Sequence, residues 1–162
     1  MSKKLLITFT SIITSIAMAH AAEKVKAPNG GRIIDAVEPH AEFLITKDKK
    51  VEVRFLDAAG KVVAPAAQTV TVTMGDRAAP TKLTFTKDGD KLVSDKAIPE
   101  GNDLPVVVQI KATPDAKSVT EKFNLNLAKC PTCENAEYAC TCAHGDEEKG
   151  HEGHDHKPGE KH

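Results

Sequence analysis

The chain has 162 residues and a net charge of −1, from 22 Lys and Arg against 23 Asp and Glu. This length holds one domain with an appendage, and the near-neutral balance conceals an acidic tail that disfavours nucleic acid or anionic lipid as partner. The charge is unevenly divided: from Cys130 onward eight acidic residues face three lysines, giving −5 with histidines neutral, a balance that favours cations.

The opening segment, "MSKKLLITFTSIITSIAMAH", places Lys3 and Lys4 before an apolar stretch from Leu5 to Met18 and ends in small residues. That order is the pattern of a secretory signal peptide. Residues 1–21 are assigned to it, with Ala17-Met18-Ala19 and Ala19-His20-Ala21 as competing cleavage sites. A membrane anchor is the alternative, but the stretch carries several Thr and Ser and is shorter than the roughly 20 apolar residues of a spanning helix. No cysteine sits near the cleavage region to carry a lipid. The expected mature protein is periplasmic or secreted, without a membrane anchor.

From Gly31 to Leu127 short segments rich in Val, Ile, Thr and Phe alternate with turn residues, and the period of two predicts strands. "RIIDAV" leads to "HAEFLIT", where Ala41, Phe43 and Ile45 share a face, and "VEVRFLD" returns with Val51, Val53 and Phe55 inward. "AAGKVVAPAA" is expected to be a loop. "QTVTVTM" follows with Val70, Val72 and Met74 on one side, and "TKLTFTKDGDKLVS" predicts a hairpin with Asp88-Gly89 at its tip. "LPVVVQIKA" offers Val106, Val108 and Ile110, and "EKFNLNLA" is expected to turn Phe123, Leu125 and Leu127 inward.

Seven or eight such strands over residues 28–128, without an amphipathic helix, predict an all-β, immunoglobulin-like antiparallel β-sandwich, with a small β-barrel as the alternative. With no Trp in the chain, the core is expected to be mainly aliphatic.

After Lys129 the character changes. "CPTCENAEYACTCAH" holds Cys130, Cys133, Cys140 and Cys142, all the cysteines of the chain, and ends at His144. His151, His154, His156 and His162 follow among acidic residues, and this polar stretch predicts disorder in the absence of a ligand. Residues 129–162 thus form a Cys/His-rich, largely disordered tail. A disulfide is expected by default in an exported protein, yet every pairing closes only a short loop and none staples the sandwich. A redox centre would rest on the C-x-x-C pair, but no βαβ unit precedes it, and Glu134 and Glu137 are expected to raise the thiol pKa values. Metal ligation fits the composition better. Thiolates suit Cu(I) and Zn(II), and imidazoles add Cu(II) and Ni(II). Six residues between Cys133 and Cys140, and a C-x-C second pair, suit an adaptable thiolate cluster more than a zinc finger. The candidate metal ligands are Cys130, Cys133, Cys140, Cys142, His144, His151, His154 and His156, and no organic cofactor is expected. A solvated, functionless tail is the alternative for the histidine stretch.

"APNGGRIIDAVEPHAEFLI" and "FLDAAGKVV" resemble a module of exported bacterial proteins and of periplasmic adaptor subunits of heavy-metal efflux pumps. The resemblance rests on Gly30-Gly31, His40-Ala41-Glu42 and Phe55 to Val63, and extends over about Pro28 to Ala66. It implies a periplasmic efflux component as a partner. Where that module often carries His before the Gly pair, this chain has Asn29. His40 and Glu42 share a strand face opposite Phe43 and are candidates for a further site. The expected function is noncatalytic transition-metal binding: capture, buffering or transfer. A protein-interaction module with an incidental tail is the second expectation, and a thiol redox protein the third. No nucleophile, phosphate-loop or paired-carboxylate motif points to an enzyme.

Overall fold

In the computed structural model, which describes residues 25–142, the alternating segments form ten strands. They are β1 (Arg32–Ile34), β2 (His40–Ile45), β3 (Lys50–Leu56), β4 (Val62–Val63), β5 (Thr69–Met74), β6 (Thr81–Leu83), β7 (Phe85–Asp88), β8 (Lys91–Ala97), β9 (Leu104–Lys111) and β10 (Val119–Leu125). The segment assigned to the signal peptide and the histidines from His144 on lie outside the described residues. No helix among the described residues is long and apolar enough to cross a membrane.

One sheet runs β1-β2-β3-β8-β7, with β4 pairing the end of β3 that β8 leaves free. The other runs β10-β9-β5-β6, and every pairing is antiparallel. The sheets remain separate, so the architecture is a sandwich and not the barrel. Taking β2 as the first strand, the orders become A-B-E-D and G-F-C, the immunoglobulin arrangement, with β1 added outside the first strand and β6 beside the third. Two strands beyond the expected eight have simple origins. Val62–Val63, in the expected loop, pairs with Leu56 and Phe55. "TKLTFTKD" divides at Thr84, its first half joining one sheet as β6 and its second the other as β7. Asp95 holds the crossing point: its carboxylate accepts the Thr84 N–H at 3.0 Å while its own N–H donates to the Thr84 carbonyl. The hairpin itself is present, with Asp88 opposite Lys91 and Gly89, φ 60°, in the two-residue turn.

The core lies between the sheets and collects the expected faces: Ala41 and Phe43, Val51, Val53 and Phe55, Val70, Val72 and Met74, and Val106, Val108 and Ile110 are all buried. One inward assignment fails. Leu127 is 38% exposed, because β10 ends at Leu125 and the alternation ends with it.

Glu42 is fully buried although it faces away from the core. The turn before β1 covers it: the Asn29 and Gly31 N–H groups both donate to Oε1 at 2.9 Å, and the Asn29 amide donates to Oε2 at 2.8 Å. A Cβ on Gly31 would stand 2.4 Å from the Phe43 carbonyl oxygen, so only glycine lets the chain pass this closely.

Candidate metal centre

The thiol segment begins where β10 ends and folds back on itself. Residues 126–130 and 135–138 form a short hairpin: the Tyr138 N–H donates to the Asn126 carbonyl, Glu137 N–H to Ala128, and Cys130 N–H to Asn135, at 3.1, 2.9 and 2.9 Å. Cys130 and Cys133 flank its tip. A single 3-10 turn, Glu137–Ala139, then redirects the chain so that Cys140 and Cys142 return over that tip.

All four sulfurs lie within 4.8 Å of one another, and among the described residues this is the one group of three or more His, Cys, Asp or Glu side chains able to hold an ion. Cys130 Sγ is 3.2 Å from Cys140 Sγ, which lies 3.6 Å from Cys133 Sγ. A tetrahedral ion with bonds of about 2.3 Å sets its sulfurs roughly 3.8 Å apart, so small shifts would admit one. A disulfide needs about 2.05 Å, well short of the 3.2 and 3.6 Å that separate these sulfurs. Bridged iron–sulfur clusters spread their thiolates over separate metal atoms, wider than this array, so the geometry fits a mononuclear ion.

The backbone around the sulfurs favours negative charge. The Thr132 N–H donates to Cys130 Sγ at 3.4 Å and the Cys142 N–H to Cys140 Sγ at 3.3 Å, while the Thr132 hydroxyl lies 3.2 Å from Cys130 Sγ. With the Thr132 hydroxyl as chief cause, the Cys130 thiol is lowered to about 5. That overturns the expectation that the nearby glutamates would raise it. Cys140, facing that thiolate, is pushed up to about 12, chiefly by Cys130 and then by burial. Cys133 is raised as well: the Asn135 N–H favours its thiolate, but burial and the sulfurs of Cys130 and Cys142 outweigh it. Cys130 is thus a thiolate near neutral pH, while Cys133 and Cys140 retain protons that a cation would displace.

Packing fixes this segment to the sandwich. Cys130, Tyr138 and Ala139 are buried, and the Tyr138 ring lies 6.2 Å from Phe43 and 6.4 Å from Phe123. Its hydroxyl accepts the Ile45 N–H at 3.1 Å. Arg32 joins β1 to this corner: one nitrogen donates to the Tyr138 carbonyl at 3.3 Å, another to Glu121 at 2.9 Å, and the guanidinium lies 4.7 Å from the Phe123 ring centroid. The folded body therefore extends through Cys142 instead of ending at Ala128, because Tyr138 supplies the apolar surface that the rest of the segment lacks.

Of the candidate ligands, Cys130, Cys133, Cys140 and Cys142 are brought together, while His144, His151, His154 and His156 lie outside the described residues. Among the described residues His40 and Glu42 belong to no group of three or more such ligands. Glu42 is spent on Asn29 and Gly31, and His40 Nδ1 sits 3.1 Å from the Val37 carbonyl. Thr132 and Tyr138 went unnoticed in the sequence; the signal for the second was a lone aromatic ring, between Glu137 and Ala139, in an otherwise polar stretch. No protein-family model, curated protein or solved structure matches the chain.

Proposed function

We propose that this is an exported, noncatalytic transition-metal-binding protein in which Cys130, Cys133, Cys140 and Cys142 hold one ion. The observation that carries the reading is the convergence of all four sulfurs within 4.8 Å. Zn(II) is the first choice, since four thiolates from one chain make a closed set of the kind tetrahedral zinc adopts. Cu(I), which also favours thiolates, is the second. His144, His151, His154 and His156 serve as weaker outer ligands that collect ions and exchange them with the thiolates, so the protein captures, buffers or hands on metal. Its signal-peptide pattern supports a periplasmic or secreted location, and its resemblance to efflux-adaptor modules supports a link to metal export. A redox role gains some support from the lowered Cys130 thiol. Against it stands the burial of that residue, 2% exposed, since an exchanging thiol must be reached by its partner disulfide.

Native mass spectrometry of the full chain, purified anaerobically without chelator, tests the proposal. One ion per chain is expected, retained after truncation following Cys142 and lost when all four cysteines become serine. A full chain that takes up neither Zn(II) nor Cu(I) after reduction would defeat it.

A further inference from the structure

We propose that Tyr138 is a positioning residue that couples the bound ion to the seam between the two sheets, so that metal and sandwich stabilise each other. The inference rests on the metal-binding reading of the four cysteines and goes beyond it by assigning the ion an effect on the fold.

Tyr138 stands between the ligand pairs in sequence and between the sheets in space. Cys140 follows two residues later, and Cys130 lies opposite Asn135 on the facing arm of the hairpin. On the other side, the ring meets Phe43 of β2 and Phe123 of β10, strands that belong to different sheets. The seam needs this residue for a definite reason. β1 pairs with β2 only as far as Arg32 opposite Phe43, so the Ile45 N–H lies two residues past the last partner β1 provides. The Tyr138 hydroxyl accepts it in place of a strand carbonyl. The residue's own backbone is also engaged, its N–H by Asn126 and its carbonyl by Arg32.

Every polar group of Tyr138 is therefore tied to the sandwich or to the hairpin that carries the first two sulfurs. An ion that orders the four sulfurs also fixes both ends of the stretch holding Tyr138. By linkage, seating Tyr138 strengthens ion binding by the same factor by which the ion strengthens the seating. Such supporting residues are typically worth about 10–100-fold in metal affinity.

The chain carries one tyrosine and no tryptophan, so the near-ultraviolet tyrosine circular dichroism of the full chain reports on this residue alone. The probe is Zn(II) added to the reduced protein. Uptake is expected to change the tyrosine signal and to raise the melting temperature by about 10 °C or more at a hundredfold excess over Kd. Tyr138→Ala is expected to bind Zn(II) about 10–100-fold more weakly in a chelator competition, with the Co(II)–thiolate absorption position unchanged because the ligands are unchanged. Should Tyr138→Ala not fold, Tyr138→Phe carries the test. It loses only the bond to Ile45, and binding several-fold weaker than wild type is expected. Zn(II) uptake with no change in tyrosine signal or melting temperature, or unweakened binding by the folded variant, overturns the coupling alone. No uptake by the wild type overturns the metal reading itself.

Discussion

Between Ile34 and Leu125 the chain is held by a core in which Phe43, Val53, Phe55, Val72 and Val108 are fully enclosed, whereas from Asn126 to Cys142 one ring and four sulfurs carry the packing. In the sandwich each side chain is one of many on a shared face, and loss of one is spread over its neighbours. In the thiol segment a few residues, Tyr138 foremost, carry most of the contacts. Regions of the first kind respond mainly to volume; those of the second respond to protons and ions, because charge on the sulfurs decides whether the array is attractive or repulsive.

Phe43 is where the two regions meet, since its ring contacts both Phe123 and Tyr138. Phe43→Ala is expected to cost about 3–5 kcal/mol in urea unfolding, and also to weaken Zn(II) binding although no ligand is touched. Undiminished metal affinity in a folded Phe43→Ala protein would separate the two regions that the ring joins. The next effect belongs to the sulfurs alone. Cys130, lowered to about 5, is already a thiolate at neutral pH, while Cys140, at about 12, and the raised Cys133 must each lose a proton to bind. Affinity therefore falls as pH falls, by at least about a hundredfold per unit near neutrality, and more steeply below about 5 where Cys130 also protonates. Chelator competition across this range measures the slope, and a flat profile would show that these thiols do not hold the ion. The smallest effect marks the border between the regions. Leu127→Ser is expected to change stability by no more than about 0.5 kcal/mol, because the side chain is exposed where the sandwich alternation has ended. A loss comparable to that of a core leucine would mean that the sandwich reaches further along the chain.

The sandwich was legible because period-two alternation reports directly on which face is buried, and the inward sets on β2, β3, β5 and β9 follow it. Its two additions were not. A two-residue strand such as β4 has no period, and the crossing at Thr84 depends on Asp95, eleven residues away, which no local pattern reveals. The cysteines were legible as ligands from their chemistry, but their arrangement was not, because the hairpin that gathers them depends on backbone bonds between residues 126–130 and 135–138. Composition also concealed the extent of the folded body. A segment with one large apolar residue reads as too polar to pack, yet a single ring suffices when a gap between two sheets is ready to receive it.

The buried carboxylate of Glu42 has a consequence for how much of the chain can be removed. Among the described residues its three donors come from Asn29 and Gly31. A cut ahead of Ala27 leaves these three donors in place. A cut that removed Asn29 would leave a negative charge enclosed with a single donor, a cost of several kcal/mol. Asn29, through its amide and its backbone N–H, thus supplies two of the three bonds that hold this carboxylate.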